Sequence, residues 1–135
     1  MREWLSTAAH CNSQTLYLSS VHELSVALSL LDDVAEAARA EGADRVCAVH
    51  VRIGALAGVV PEALRFSWDV ATADSIAAGS ELQVEEIPLA LFCERCEQEV
   101  LPPPFTGFIC PQCGETAPRI VRGRELEIVG MEVPA

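Results

Sequence analysis

Two Cys-x-x-Cys pairs, Cys93-Glu94-Arg95-Cys96 and Cys110-Pro111-Gln112-Cys113, stand thirteen residues apart and constrain this chain more than any other feature. A two-residue gap lets both thiolates of one turn face a single ion while the turn's own amides donate to the sulfurs. Two such turns brought together give the closed tetrahedral four-thiolate arrangement of a structural zinc ion, with no ligand position left for a water. Gly114, just after the second pair, suits a turn that needs a positive φ. Disulfides or a thioredoxin-like redox pair are the competing reading, but neither pair lies in a βαβ context and nothing else in the chain points to an oxidising compartment. An iron–sulfur cluster is the other known occupant of four cysteines. Phe92, Phe105, Phe108 and Ile109 are expected to form a small satellite core around the sulfurs. Of the other cysteines, Cys47 reads as a small core residue, and Cys11, beside His10, is a weak ligand pair with no partner module.

Outside the cysteine segment the chain carries enough apolar sequence to bury a core of its own, so the metal need not hold the whole protein together. Leu24, Leu28, Leu31, Ala35 and Ala38 recur at three- and four-residue steps and predict an amphipathic helix ending near Gly42. Arg45–Ile53 alternates, with Cys47, Val49, Val51 and Ile53 on one side, as a strand does. Pro61 sits at the first turn of a second helix, in which Leu64, Trp68 and Ala71 share a face that Phe66 and Val70 widen. Leu82 and Val84 begin a second strand that Pro88 stops. Leu126 and Ile128, alternating with Glu125 and Glu127, begin a third. A lone strand after the cysteines could not bury its own face, so it is expected to pair back onto the first two. The prediction is an α/β (α+β) fold: a small three-stranded sheet with two helices, built from residues 21–88 and 119–135, with an inserted four-cysteine zinc-ribbon module at 89–118. Residues 1–20 show little periodicity and are expected to be an extension without stable structure, or one wrongly assigned to the chain.

The net charge is −11, and all nine basic residues are Arg, with no Lys. An acidic surface repels phosphate backbones, which argues against a nucleic-acid-binding ribbon. No run of apolar residues is long enough to span a membrane, and the first twenty residues lack the basic end and apolar run of a secretory signal. A cytoplasmic location is expected. No nucleophile–base pair or phosphate loop is evident, and His50 alternates on a strand as a structural histidine does. The chain therefore reads as non-enzymatic.

One local feature remains, the run Val21-His22-Glu23-Leu24-Ser25. On residue chemistry alone, Ser20-x-x-Glu23 has the spacing of a capping box with His22 a solvated first-turn residue. The longer run His22-Glu23-Leu24-Ser25-Val26-Ala27, however, closely resembles the amino terminus of the HypA/HybF family, the nickel metallochaperones of [NiFe] hydrogenase maturation. The resemblance continues through Ile53-Gly54-x-Leu56-x-Gly58-Val59, Pro61-Glu62-x-Leu64-x-Phe66, both cysteine pairs, Gly123-Arg124-Glu125-Leu126 and Met131-Glu132-Val133.

That resemblance implies a nickel site made by the α-amine, backbone amides and imidazole of a Met-His-Glu start, a planar set of nitrogen donors of the kind Ni(II) prefers. Carried onto this chain, His22 supplies the ring and Glu23 its amide. It further implies transported Ni(2+) beside structural Zn(2+), a HypB-type GTPase and a hydrogenase large-subunit precursor as partners, and a weak homodimer. This chain departs from the pattern in placing twenty residues before His22 and Val where Met should stand. Either the amine ligand is lost, or translation begins at position 21, where a GTG codon would encode Val internally and Met at a start; the Lys-free composition of a GC-rich genome favours the second. The rival to a nickel carrier is a zinc-ribbon adaptor that carries no nickel.

Overall fold

No glycine or proline interrupts residues 10–40, and the chain forms one continuous helix there, α1 (His10–Ala40). The computed structural model describes residues 10–134, with side chains from His22 onward. The expectation of an unstructured stretch over 1–20 is corrected for 10–20, which are helical; 1–9 lie outside the described residues, as do the side chains of His10 and Cys11. The capping box does not form either, because Ser20 lies well inside the helix and the Glu23 carboxylate is used elsewhere: its Oε2 accepts from the amide of Val60 at 2.8 Å. The C-terminal end is as the sequence indicates. Gly42 adopts φ +73°, and Ala43 N to Ala38 O and Gly42 N to Arg39 O close a Schellman motif.

The buried row of α1 is one residue out of phase with the expected one. Glu23, Ala27, Leu30, Val34 and Ala38 are buried, whereas Leu28 is 47% exposed. Both rows keep three- and four-residue steps, since apolar residues occupy 27–28, 30–31 and 34–35 alike. Packing chooses the row with the small Ala27 in place of Leu28, although a glutamate heads it.

After α1 come β1 (Ala48–Gly54), α2 (Pro61–Thr72), β2 (Glu81–Ile87), β3 (Ala90–Cys93), β4 (Gln98–Val100), β5 (Arg119–Arg122) and β6 (Leu126–Glu132). In α2, Leu64 and Trp68 are fully buried as expected, but Phe66 and Val70 are exposed and Ser67 and Thr72 are buried instead. Phe66 and Val70 each lie two positions beyond a core residue, which on a helix is nearly the opposite face. The two helices pack on each other. Trp68 Nε1 donates to Ser80 Oγ at 2.9 Å, giving the buried indole its partner.

One three-stranded sheet has the order β2-β1-β6, so the C-terminal strand does return to the first strand, as predicted. Glu81 N to Cys47 O and Ala55 N to Ile87 O advance along β1 and β2 in the same sense, which makes the pair parallel with α2 in the connection. Cys47 N to Glu132 O and Gly54 N to Glu125 O run in opposite senses, making β6 antiparallel to β1. Arg52 on the central strand accordingly reaches Glu85 on one neighbour at 3.2 Å and Glu127 on the other at 3.6 Å. Cys47 itself is only half-buried.

The second sheet has the order β4-β3-β5, both pairs antiparallel. It holds the cysteines, and β5 carries it beyond residue 118. By compactness the chain divides into two units. The first gathers residues up to Val49, Val59–Gln83 and the stretch from Gly130; the second gathers His50–Gly58 and Val84–Val129. Within the second, Gly54 meets Gly123 so closely that a Cβ on Gly54 would stand 2.1 Å from the carbonyl carbon of Gly123. Both glycines are thereby accounted for, Gly123 also by its φ of +127°.

Candidate metal centre

Two tight turns present the four sulfurs. In the first, the amide of Cys96 donates to Cys93 Sγ at 3.4 Å; in the second, the amide of Gln112 donates to Cys110 Sγ at 3.4 Å. Each turn leaves by a residue of positive φ one step past its second cysteine, Glu97 (+54°) and Gly114 (+79°). Gly114 is legible in the sequence because glycine adopts that conformation freely; Glu97 gives no such signal. Gly114 N bonds back to Cys110 O and Cys110 N to Glu115 O, closing the second turn.

Cys93 Sγ lies 3.6 Å from Cys113 Sγ, Cys96 Sγ lies 3.9 Å from Cys110 Sγ, and all four sulfurs fall within 4.8 Å of one another. A tetrahedron with Zn–S bonds of about 2.3 Å has sulfur–sulfur edges of about 3.8 Å, so the cluster has the size of a zinc thiolate site. Sulfurs joined as disulfides would be about 2 Å apart, and the cysteines are free. Residues from both turns contribute to each short pair, as a closed site requires.

Four thiols at this separation cannot all ionise unaided. Amide donation from Cys113, then from Gln112, draws Cys110 down to about 7. Burial, with the neighbouring sulfurs, pushes Cys96 up to about 12. Cys113 is also raised: the amide of Glu115 draws it down, but burial and the sulfurs of Cys93 and Cys110 outweigh that pull. A divalent cation among them relieves the conflict by bonding each thiolate and offsetting half of their charge. The donor set fits structural zinc, and with four protein ligands it leaves zinc no role as a Lewis acid toward a substrate.

The core that supports the sulfurs is Leu91, Val100 and Ala117 with the buried Cys93 and Cys110, flanked by Leu89 and Ile120. The expected core of Phe92, Phe105, Phe108 and Ile109 is not the one found. Phe105, Phe108 and Ile109 are exposed, and the two phenylalanines line an apolar cleft of about 510 Å³ with Leu56, Leu89 and Pro102–Pro104. Phe92 is half-buried beneath the guanidinium of Arg119, 5.0 Å from its ring centre. The sequence reading also missed the ion pairs that tie the turns to the rest of this unit: Arg95–Glu115, Arg119–Glu94 and the two-pronged Arg122–Glu99.

The two nickel candidates belong to the first unit and the four cysteines to the second. His22 is exposed and Glu23 is 1% exposed. Both lie well inside α1, where helical geometry commits their amides to carbonyls one turn earlier.

These features have close counterparts in known proteins. Residues 21–133 match the model of the HypA family, described as hydrogenase/urease nickel incorporation, metallochaperone. A hydrogenase maturation factor HypA from Chloroflexus aurantiacus is 47% identical over 114 residues, covering 84% of this chain and 100% of the relative. One from a Roseiflexus species is 46% identical over 112 residues, covering 83% and 91%. In fold, the chain is similar to the solution structure of the Ni metallochaperone HypA from Helicobacter pylori, with a TM-score of 0.58 at 22% identity over 84% of this chain and 97% of that one. With the four-cysteine cluster, the βαβ unit and the His22-Glu23 run all inside the matched stretch, this chain belongs to the HypA family of hydrogenase maturation factors.

Proposed function

We propose that this protein is a nickel carrier of hydrogenase maturation that takes up Ni(II) at the His22 end of its matched region and passes it to a hydrogenase large-subunit precursor, working with a HypB-type GTPase. It acts as a carrier and not as a catalyst, in the cytoplasm; no helix of the described residues is long and apolar enough to cross a membrane. The four-cysteine cluster holds structural zinc and the first unit handles the nickel. The observation that carries this reading is the family match across residues 21–133, which begins one residue before His22.

The chemistry of the helix end supports the same assignment. The first four amides of any helix have no carbonyl partner. In a chain beginning at position 21, the amine and the amides of His22 and Glu23 would be those free groups, beside an exposed imidazole. In a chain that continues back to His10, the same amides are spent inside the helix. A functional start at position 21 therefore unites an amine, two amides and a ring in one planar donor set.

The test is nickel titration of two forms, one beginning with Met at position 21 and one from Met1. The shorter form is expected to give a planar, diamagnetic, nitrogen-rich site, which His22→Ala abolishes while zinc content stays constant. Its affinity should weaken as pH falls, because protons compete for the nitrogens. The longer form should bind more weakly; equal affinity would show that the amine is not a ligand. Nickel retained by His22→Ala would end the assignment.

A further inference from the structure

Glu23 sits where patterning would place an apolar residue. It is 1% exposed and heads the row continued by Ala27, Leu30, Val34 and Ala38. Its Oε2 accepts from Val60 N at 2.8 Å, while Oε1 has no hydrogen-bond partner among the described residues. A carboxylate is not buried this way without a compensating use.

Val60 is the N-cap of α2, and no side chain of α2 caps it; Pro61, which follows, brings no N–H of its own. In a capping box, a glutamate three residues after the N-cap reaches back to the N-cap amide. Here that position is Ala63, which cannot. Glu23 supplies the missing acceptor from another helix and sets its negative charge at the positive end of α2. Adjacent helical residues point about 100° apart, so holding Glu23 inward turns His22 outward, and His22 is indeed exposed.

We propose that Glu23 is a positioning residue for nickel: its carboxylate stays on the N-terminus of α2 and fixes the backbone nitrogens of residues 21–23, leaving the metal to those nitrogens and the His22 ring. This rests on the nickel reading above and adds to it a mechanical link between the metal-binding turn and α2. It also gives the carboxylate a task other than ligation.

The test compares Glu23→Ala, Glu23→Gln and Val60→Pro in the form beginning at position 21, where the family match begins. Nickel affinity and zinc content are measured together. Glu23→Ala should weaken nickel by about 10- to 100-fold, the usual cost of losing a group that orients metal ligands, with zinc unchanged. Glu23→Gln keeps an oxygen facing Val60 and should recover most of the loss. Val60 has φ −88° and ψ 117°, a conformation close to that of proline, so Val60→Pro removes the donor with little backbone change and should weaken nickel as Glu23→Ala does. A Gln variant as weak as the Ala variant would mean that the charge itself binds metal, overturning the proposal. Parent affinity in Val60→Pro or Glu23→Ala would overturn it as well. Nickel retained by His22→Ala would instead remove the underlying site, a separate result from any of these.

Discussion

The two units of this chain are held together by different means. In the first, large apolar side chains carry the interior: Leu30, Val34, Leu64 and Trp68 are all buried, with Val46 and Val49 beside them. In the second, the cysteine sheet is built on a buried cluster of Leu91, Val100 and Ala117 plus two cysteines. Two of its five buried members are thus sulfurs of the metal cluster. So small an apolar set offsets little of the ordering of three short strands, and thiolate–metal bonds would add the stabilisation that the sheet's own side chains lack. The difference separates the two candidate metal sites: the four thiolates lie in the unit with the sulfur-bearing cluster, and His22 and Glu23 lie in the unit with the large apolar core.

The strongest way to break this comparison is Cys93→Ser. Cys93 is buried, and its Sγ lies 3.6 Å from that of Cys113 across the two turns. Its loss is expected to release the zinc entirely and to collapse the resonances of residues 90–122, while the signals of α1 and α2 persist. Zinc content and a proton–nitrogen correlation spectrum of the same sample check both halves. Full zinc content would refute the site, and collapse of the helices as well would refute the independence of the units.

Gly54→Ala asks whether backbone contact within the second unit matters beside the metal. The new methyl would meet Gly123 C and O at 2.1 Å and Arg124 N at 2.6 Å, all main-chain atoms that cannot swing aside. Overpacking costs typically 1–3 kcal/mol, and a backbone clash belongs at or above the top of that range, so a loss of about 3 kcal/mol is expected. Chemical denaturation of the zinc-loaded protein measures it. A loss below about 1 kcal/mol would show that the two segments separate easily.

What the sequence revealed and what it hid divide along a physical line. The cysteine turns were legible because metal ligation imposes short, fixed spacings of a single residue type. The return of β6 to the first sheet followed from the need to bury one strand face, and Pro61 marked its helix. Glu23 was hidden because patterning assigns glutamate to solvent, and only the bare amide of Val60, thirty-seven residues away, makes its burial tolerable. The phase of α1 failed for the same reason: its buried row is headed by that glutamate, while Leu24 and Leu28 formed a more plausible row on paper. Phe105 and Phe108 were assigned to a core on hydrophobicity alone, although three consecutive prolines at 102–104 hold that segment out of the sheet. Helix at residues 10–20 was missed because their polar side chains dilute the periodicity without stopping the backbone.

The smallest effect expected belongs to the first unit, at the Trp68–Ser80 pair. Trp68 is fully buried, and its indole N–H donates to the nearly buried Ser80 hydroxyl at 2.9 Å. Ser80→Ala keeps the packing but leaves that N–H without a partner, a loss of about 1–3 kcal/mol. Trp68→Phe removes the donor together with part of the ring, so its cost joins a small cavity to a bereft hydroxyl and should be somewhat larger. Combined, the two changes delete both ends of one bond. The double variant should therefore lose less than the two single losses together, by about 1 kcal/mol, which is the coupling between the groups. Thermal or chemical unfolding of the four proteins, with zinc content fixed throughout, gives that number. Additive losses would show that the bond contributes nothing specific. Any change in zinc content would show that the first unit is not as independent of the metal as its apolar core implies.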